Sequence, residues 1–151
     1  MADLGFGGST DEARHRSLHQ CDVVLDGTNY LAWRLTLRLL LDGLRVWGHV
    51  AGTVTLPPSP VPQDSFDSSL DDGETHSISP AALEDYEKRL EKWYANDSKA
   101  KVLICQTVTL GIRSQIAELP TAKSMWDYLA RRYSGSSQAQ LYTLYQSLSG
   151  L

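Results

Sequence analysis

Tyr30, Trp33, Leu37, Leu40, Leu41 and Leu44 recur at spacings of three and four. That period puts bulky apolar groups on one side of a helix and rules out a half-buried strand, which alternates every second residue. Leu31, Leu35 and Leu39 widen the stripe, leaving Arg34, Arg38 and Asp42 a narrow polar strip. A helix so apolar around its circumference is expected to be mostly buried. Gly43 is expected to loosen its end. "RVWGHVAG" reads as a further short turn that carries Trp47 onto the core.

In front of this run stands "LDGTN". Gly27 permits a tight bend, and Thr28 and Asn29 are good N-cap residues. The turn lacks the glycine spacing and the lysine of a phosphate-binding loop. It therefore reads as the start of a helix. Cys21–Leu25 before it is a short apolar run of extended character.

The same period returns three more times. Ser79-Pro80 is an N-cap followed by proline at the first helical position, and Leu83, Tyr86, Leu90, Trp93, Ala100 and Ile104 follow on one face. Asp97 falls on that apolar stripe. Either Asn96-Asp97-Ser98 caps a second helix and breaks the first, or, as is favoured, the helix is continuous and a buried Asp97 needs a donor such as an indole N–H or a helix N-terminus. Gly111 is expected to end this helix, with "IRSQIAEL" a short one that Leu119-Pro120 stops. Thr121 caps the next, whose face is Ala122, Trp126, Leu129 and Tyr133. "SGSS" reads as a turn before a final amphipathic helix carrying Leu141, Leu144, Tyr145, Leu148 and Leu151. The expected fold is all-α, a compact bundle of about five or six helices.

Two stretches fall outside the pattern. Residues 1–20 are rich in Gly, Ser and charge and read as a disordered arm. Residues 21–151 then form the helical domain, interrupted at 52–79 by a flexible loop rich in Pro, Ser and Asp. The loop's Pro57-to-Pro60 pattern suits a polyproline ligand, but such patterns are common by chance. His15 and His19 sit one helical turn apart with Cys21 beyond; lacking a fourth ligand, they read as solvated residues and not as a metal site.

Charge and cysteine content narrow the function. Two cysteines in 151 residues are too few for a disulfide framework, so an intracellular, cytoplasmic protein is expected. No signal-peptide pattern opens the chain. The longest apolar stretch, Leu35–Leu41, is far shorter than the roughly 20 residues of a membrane span. With a net charge of −4 and no basic stripe, direct binding to RNA or DNA is expected to be weak or absent. No nucleophile elbow, His-Glu-x-x-His or Cys-x-x-Cys occurs. The charged cluster from Glu84 to Lys92 reads as a solvated helix face. No catalytic, cofactor-binding or metal residues are expected.

Taken in order, "LDGTNYLAWRLTLRLLL…VWGHVAGT", Trp93 with Asp97 and Ala100, "TAKSMWDYLARRY" and "L..LYQSLSGL" resemble the Gag polyprotein of copia-type LTR retrotransposons. The similar blocks cover residues 24–56 and 90–151. The resemblance implies the N-terminal lobe of a capsid protein, a helical unit that packs beside copies of itself into a shell. Its motif positions here are Gly27, Asn29, Tyr30, Trp33, Trp47, Trp93, Asp97, Thr121, Trp126, Leu129 and Tyr133, all of which read as caps and core anchors. Such chains usually continue into a second lobe and often a zinc knuckle, neither of which is in these residues. RNA packaging is therefore not expected of this segment, whereas self-association is. Leu141, Leu144, Tyr145 and Leu148 are the residues expected to carry a homodimer or larger oligomer. The alternative is a domesticated host adaptor that uses the same fold to bind another protein.

Overall fold

The computed structural model describes residues 21–60 and 78–150. The proposed N-terminal arm, its two histidines, residues 61–77 of the loop and Leu151 lie outside them. Five helices follow in order: α1 (Tyr30–Gly43), α2 (Trp47–Ala51), α3 (Pro80–Gln106), α4 (Leu110–Ile116) and α5 (Ala122–Ser149). No strand occurs among the described residues. A single parallel bridge joins Leu25 to Val108, with Leu25 N–H donating to the Thr107 carbonyl and Thr109 N–H to that of Leu25. The extended Cys21–Leu25 segment is thus pinned to the connection between α3 and α4.

α1 buries Tyr30, Trp33, Leu37 and Leu41, one residue per turn of its inner face. The opposite side is not covered, contrary to the expectation of a mostly buried helix. Leu35 and Leu39 are 55 % and 74 % exposed, because α2, α5 and the α3–α4 connection together cover only one side. The helix end at Gly43, expected to be loose, is a defined stop. Val46 N–H returns to the Leu41 carbonyl and Arg45 N–H to that of Asp42, with Arg45 in the left-handed region (φ 59°). This is a Schellman stop with arginine where glycine is usual. Val46 and Leu41, which meet across such a stop, are both fully buried, and their packing offsets the left-handed cost.

Ser79 caps α3 through its side chain, which accepts from Ala82 N–H, with Pro80 at the first turn. The helix runs unbroken through Asp97 to Gln106. Its apolar face is only half used: Leu83 is exposed, Tyr86 and Leu90 are partly covered, and Ala100 and Ile104 are buried. Gly111 does not end α3; it lies inside α4, which Thr109 and Leu110 begin.

Thr121 and Ser124 form a reciprocal capping box at the start of α5. Ser134–Ser137, read as a turn, is helical; α5 continues for 28 residues, about 42 Å at 1.5 Å per residue. Along this part of the helix Ser136 donates to the Tyr133 carbonyl, Thr143 to that of Ala139 and Ser147 to that of Leu144, so each of these hydroxyls finds its acceptor within the helix. The core lies where α1, α2 and α3 pack against the first half of α5.

Candidate interaction surface

The opening loop is closed on itself. Asp26 Oδ1 accepts from Thr28 N–H at 2.8 Å and from Thr28 Oγ1 at 2.7 Å. These bonds hold the Asp26 carboxyl below the usual carboxylate range. Asn29 stands at the N-cap position of α1 but does not cap it with its side chain. Its Oδ1 accepts from Asp26 N–H and its Nδ2 donates to the Val24 carbonyl. Asn29 therefore locks the loop behind the helix instead of satisfying the amides ahead of it. Gly27 has φ 101°, and a Cβ there would lie 3.4 Å from Tyr133 Cε1. Gln140 Nε2 of α5 donates to the Thr28 carbonyl at 2.6 Å. Gly27 and Thr28 thus face α5, while Leu25 is held by the α3–α4 connection.

The other motif positions gather at two joints. Trp33 and Trp126 stack with ring centroids 5.4 Å apart; Trp47 meets Trp126 edge-on at 5.2 Å and Tyr30 meets Trp33 at 5.9 Å. Trp33 Nε1 donates to Thr107 Oγ1 at 3.0 Å, and Leu129 is fully buried in the same cluster. Trp47 is only half-buried, its outer face covered by the Arg38 guanidinium 5.0 Å from the ring centre. At the second joint Asp97 accepts from Ala122 N–H at 3.0 Å, so a carboxylate of α3 sits on the N-terminus of α5. Trp93, one turn earlier, is half-buried beside the His49 ring, outside the main cluster. Thr107 and His49 take part in these joints, and Gln140 in the contact with the opening loop, without any periodic signal in the sequence.

Past Tyr133 the helix leaves the core. Leu141 is 45 % exposed, Leu144 59 %, Tyr145 75 % and Leu148 71 %. At spacings of three and four these four residues share a face, and Tyr142, also exposed, widens it. From Tyr133 to Gly150 there is no charged residue. A shallow groove lined by Ala139, Gln140, Thr143 and Leu144 runs along this part of the helix.

Residues 37–150 match the family defined by the gag-polypeptide of LTR copia-type elements. The chain belongs to the copia-type Gag family. The Gag match begins within α1 and takes in α2 to α5, leaving Gly27, Asn29, Tyr30 and Trp33 just upstream of it. Two proteins of Arabidopsis thaliana are similar over 120 residues: the Retrovirus-related Pol polyprotein from transposon RE1, 23 % identical, and that from transposon RE2, 22 % identical. In each case 80 % of this chain is covered, and it spans about 7 % of the relative's length. No solved structure matches the chain. No helix among the described residues is long and apolar enough to cross a membrane.

Proposed function

We propose that this Gag segment is a structural, non-catalytic capsid lobe that associates with copies of itself in the cytoplasm. In this reading two chains pair the C-terminal halves of α5 about a two-fold axis. The observation that carries it is the exposed, charge-free apolar face of Leu141, Leu144, Tyr145 and Leu148. An isolated helix containing Ser134, Gly135, Ser136 and Ser137 is poorly stable in water, because these are weak helix formers and helices draw most of their stability from packing. Its helical state is best understood as the covered state. A second copy provides that cover isologously, each stripe meeting its own equivalent, and no charge on either side opposes the approach. The motif residues support a structural role too, since they act as caps, stacking partners and helix joints.

Light scattering over a range of concentrations tests the reading. The wild type is expected to form dimers or larger assemblies, and the double substitution Leu144→Glu/Leu148→Glu a folded monomer. A double mutant that stays oligomeric would put the interface elsewhere; one that unfolds would make this face part of the core. A wild type that remains monomeric while binding a different protein would favour the domesticated adaptor.

Nucleic acid is not the expected partner of this segment. With net charge −4, few phosphates can be neutralised and counterion release is small. Fluorescence anisotropy with a short single-stranded RNA at about 150 mM salt, near physiological ionic strength, is expected to show no sub-micromolar binding. Tight binding under those conditions would reverse this assignment.

A further inference from the structure

His49 is buried with no evident structural role. It lies on α2, 6 % exposed, and neither ring nitrogen has a hydrogen-bond partner. A neutral imidazole carries one donor and one acceptor, and leaving them unpaired in the interior costs free energy. The ring sits 5.6 Å from that of Trp93, tilted by 49°. Trp93 Nε1 in turn donates to the Val54 carbonyl at 3.1 Å, tying the segment after α2 to α3. Four residues along α3, Asp97 holds the first turn of α5 through Ala122 N–H.

We propose that His49, Trp93 and Asp97 form an acid-sensitive latch joining α2, α3 and α5, in which a protonated His49 competes with Ala122 N–H for the Asp97 carboxylate. The charges around the ring define its behaviour. From α3, Asp97 attracts an imidazolium, and Arg89 and Lys92 line the same groove as His49. Arg89 is partly neutralised by Asp85 at 2.9 Å. From α5, Lys123 lies over Gly52 and is paired with Asp127. Burial holds the imidazole below its usual value, with Asp97 pulling the other way.

The linkage has a definite sign. The unfolded chain takes up this proton near pH 6.5, the folded chain only at lower pH. The latch is intact above about pH 6.5 and weakens as pH falls through the folded value. The proposal is independent of how α5 pairs with other chains.

Urea unfolding from pH 8 to pH 5 on the wild type and on His49→Phe tests it. The wild-type unfolding constant, relative to that of the variant, is expected to rise by up to tenfold per pH unit below 6.5, the slope of one proton. Equal pH slopes in the two proteins would overturn the latch. A proton NMR titration of the wild-type histidines decides the matter even if His49→Phe does not fold. His49 is expected to titrate below 6.5, and lower still in Asp97→Asn, which removes the charge and keeps an acceptor for Ala122. Titration at or above 6.5, or no response to Asp97→Asn, overturns the proposal.

Discussion

Replacing Trp33 with alanine is expected to lower the free energy of unfolding by about 3–5 kcal/mol, and Trp126→Ala by a similar amount. Trp33 is completely inaccessible and lies between Tyr30 and Trp126. Its indole also gives Thr107 Oγ1 a donor, while that hydroxyl reaches back to the Leu103 carbonyl. Truncation would open a cavity in the core and remove the indole's bond to the connection after α3, leaving that connection held by its backbone bonds to Leu25. Trp126 is the ring on which both Trp33 and Trp47 rest, so its loss would unseat two anchors. A domain of ordinary stability, about 5–15 kcal/mol, would be near its limit. Urea denaturation at neutral pH measures this. A loss below about 1 kcal/mol, far under the usual range, would show that the stacked pair is not the centre of the core.

Asp97→Ala is the second large effect, a loss of about 1.5–3 kcal/mol, the range for a hydrogen bond to a charged group. Asp97 is 4 % exposed and its Oδ1 receives Ala122 N–H. The amide belongs to the first turn of α5, where no intrahelical acceptor exists. Alanine would leave that amide buried without a partner. Asp97→Asn keeps an oxygen in place and loses mainly the interaction of the charge with the helix end, about 0.3–1 kcal/mol. The ordering Ala well above Asn, measured by equilibrium unfolding, is the expected signature. Equal costs would mean that the carboxylate's charge, and not its bond to α5, holds the joint.

Helices were legible wherever apolar period and capping chemistry agreed. Ser79-Pro80 and Thr121 mark helix starts because a side-chain oxygen three residues from an orphan amide is a local arrangement, complete within one turn. Asp97 showed itself for a related reason: a carboxylate on an apolar stripe must find a donor. The donor's identity, Ala122 in another helix, was not local. Errors arose where local propensity met a non-local contact. Ser134–Ser137 has the composition of a turn, yet the helix passes through it. Gly111 looked like a stop but sits within α4, while the end that Gly43 was expected to loosen is fixed by a left-handed Arg45 held by Val46 and Leu41.

For the candidate surface, the stripe of Leu141, Leu144, Tyr145 and Leu148 could be listed from spacing alone, but its exposure could not. Leu37 and Leu39 are the same residue type two positions apart in α1, one fully buried and the other 74 % exposed. Hydrophobic spacing states which side chains share a face of a helix, since that follows from 3.6 residues per turn. Whether another element lies against that face depends on how distant segments pack. By itself the sequence determined an all-helical chain, most of its helix starts and the aromatic anchors of its core. Only the tertiary structure decided that Asp97 would meet Ala122, that Trp33 would stack on Trp126, and that the apolar face of the last turns of α5 would stay exposed among the described residues.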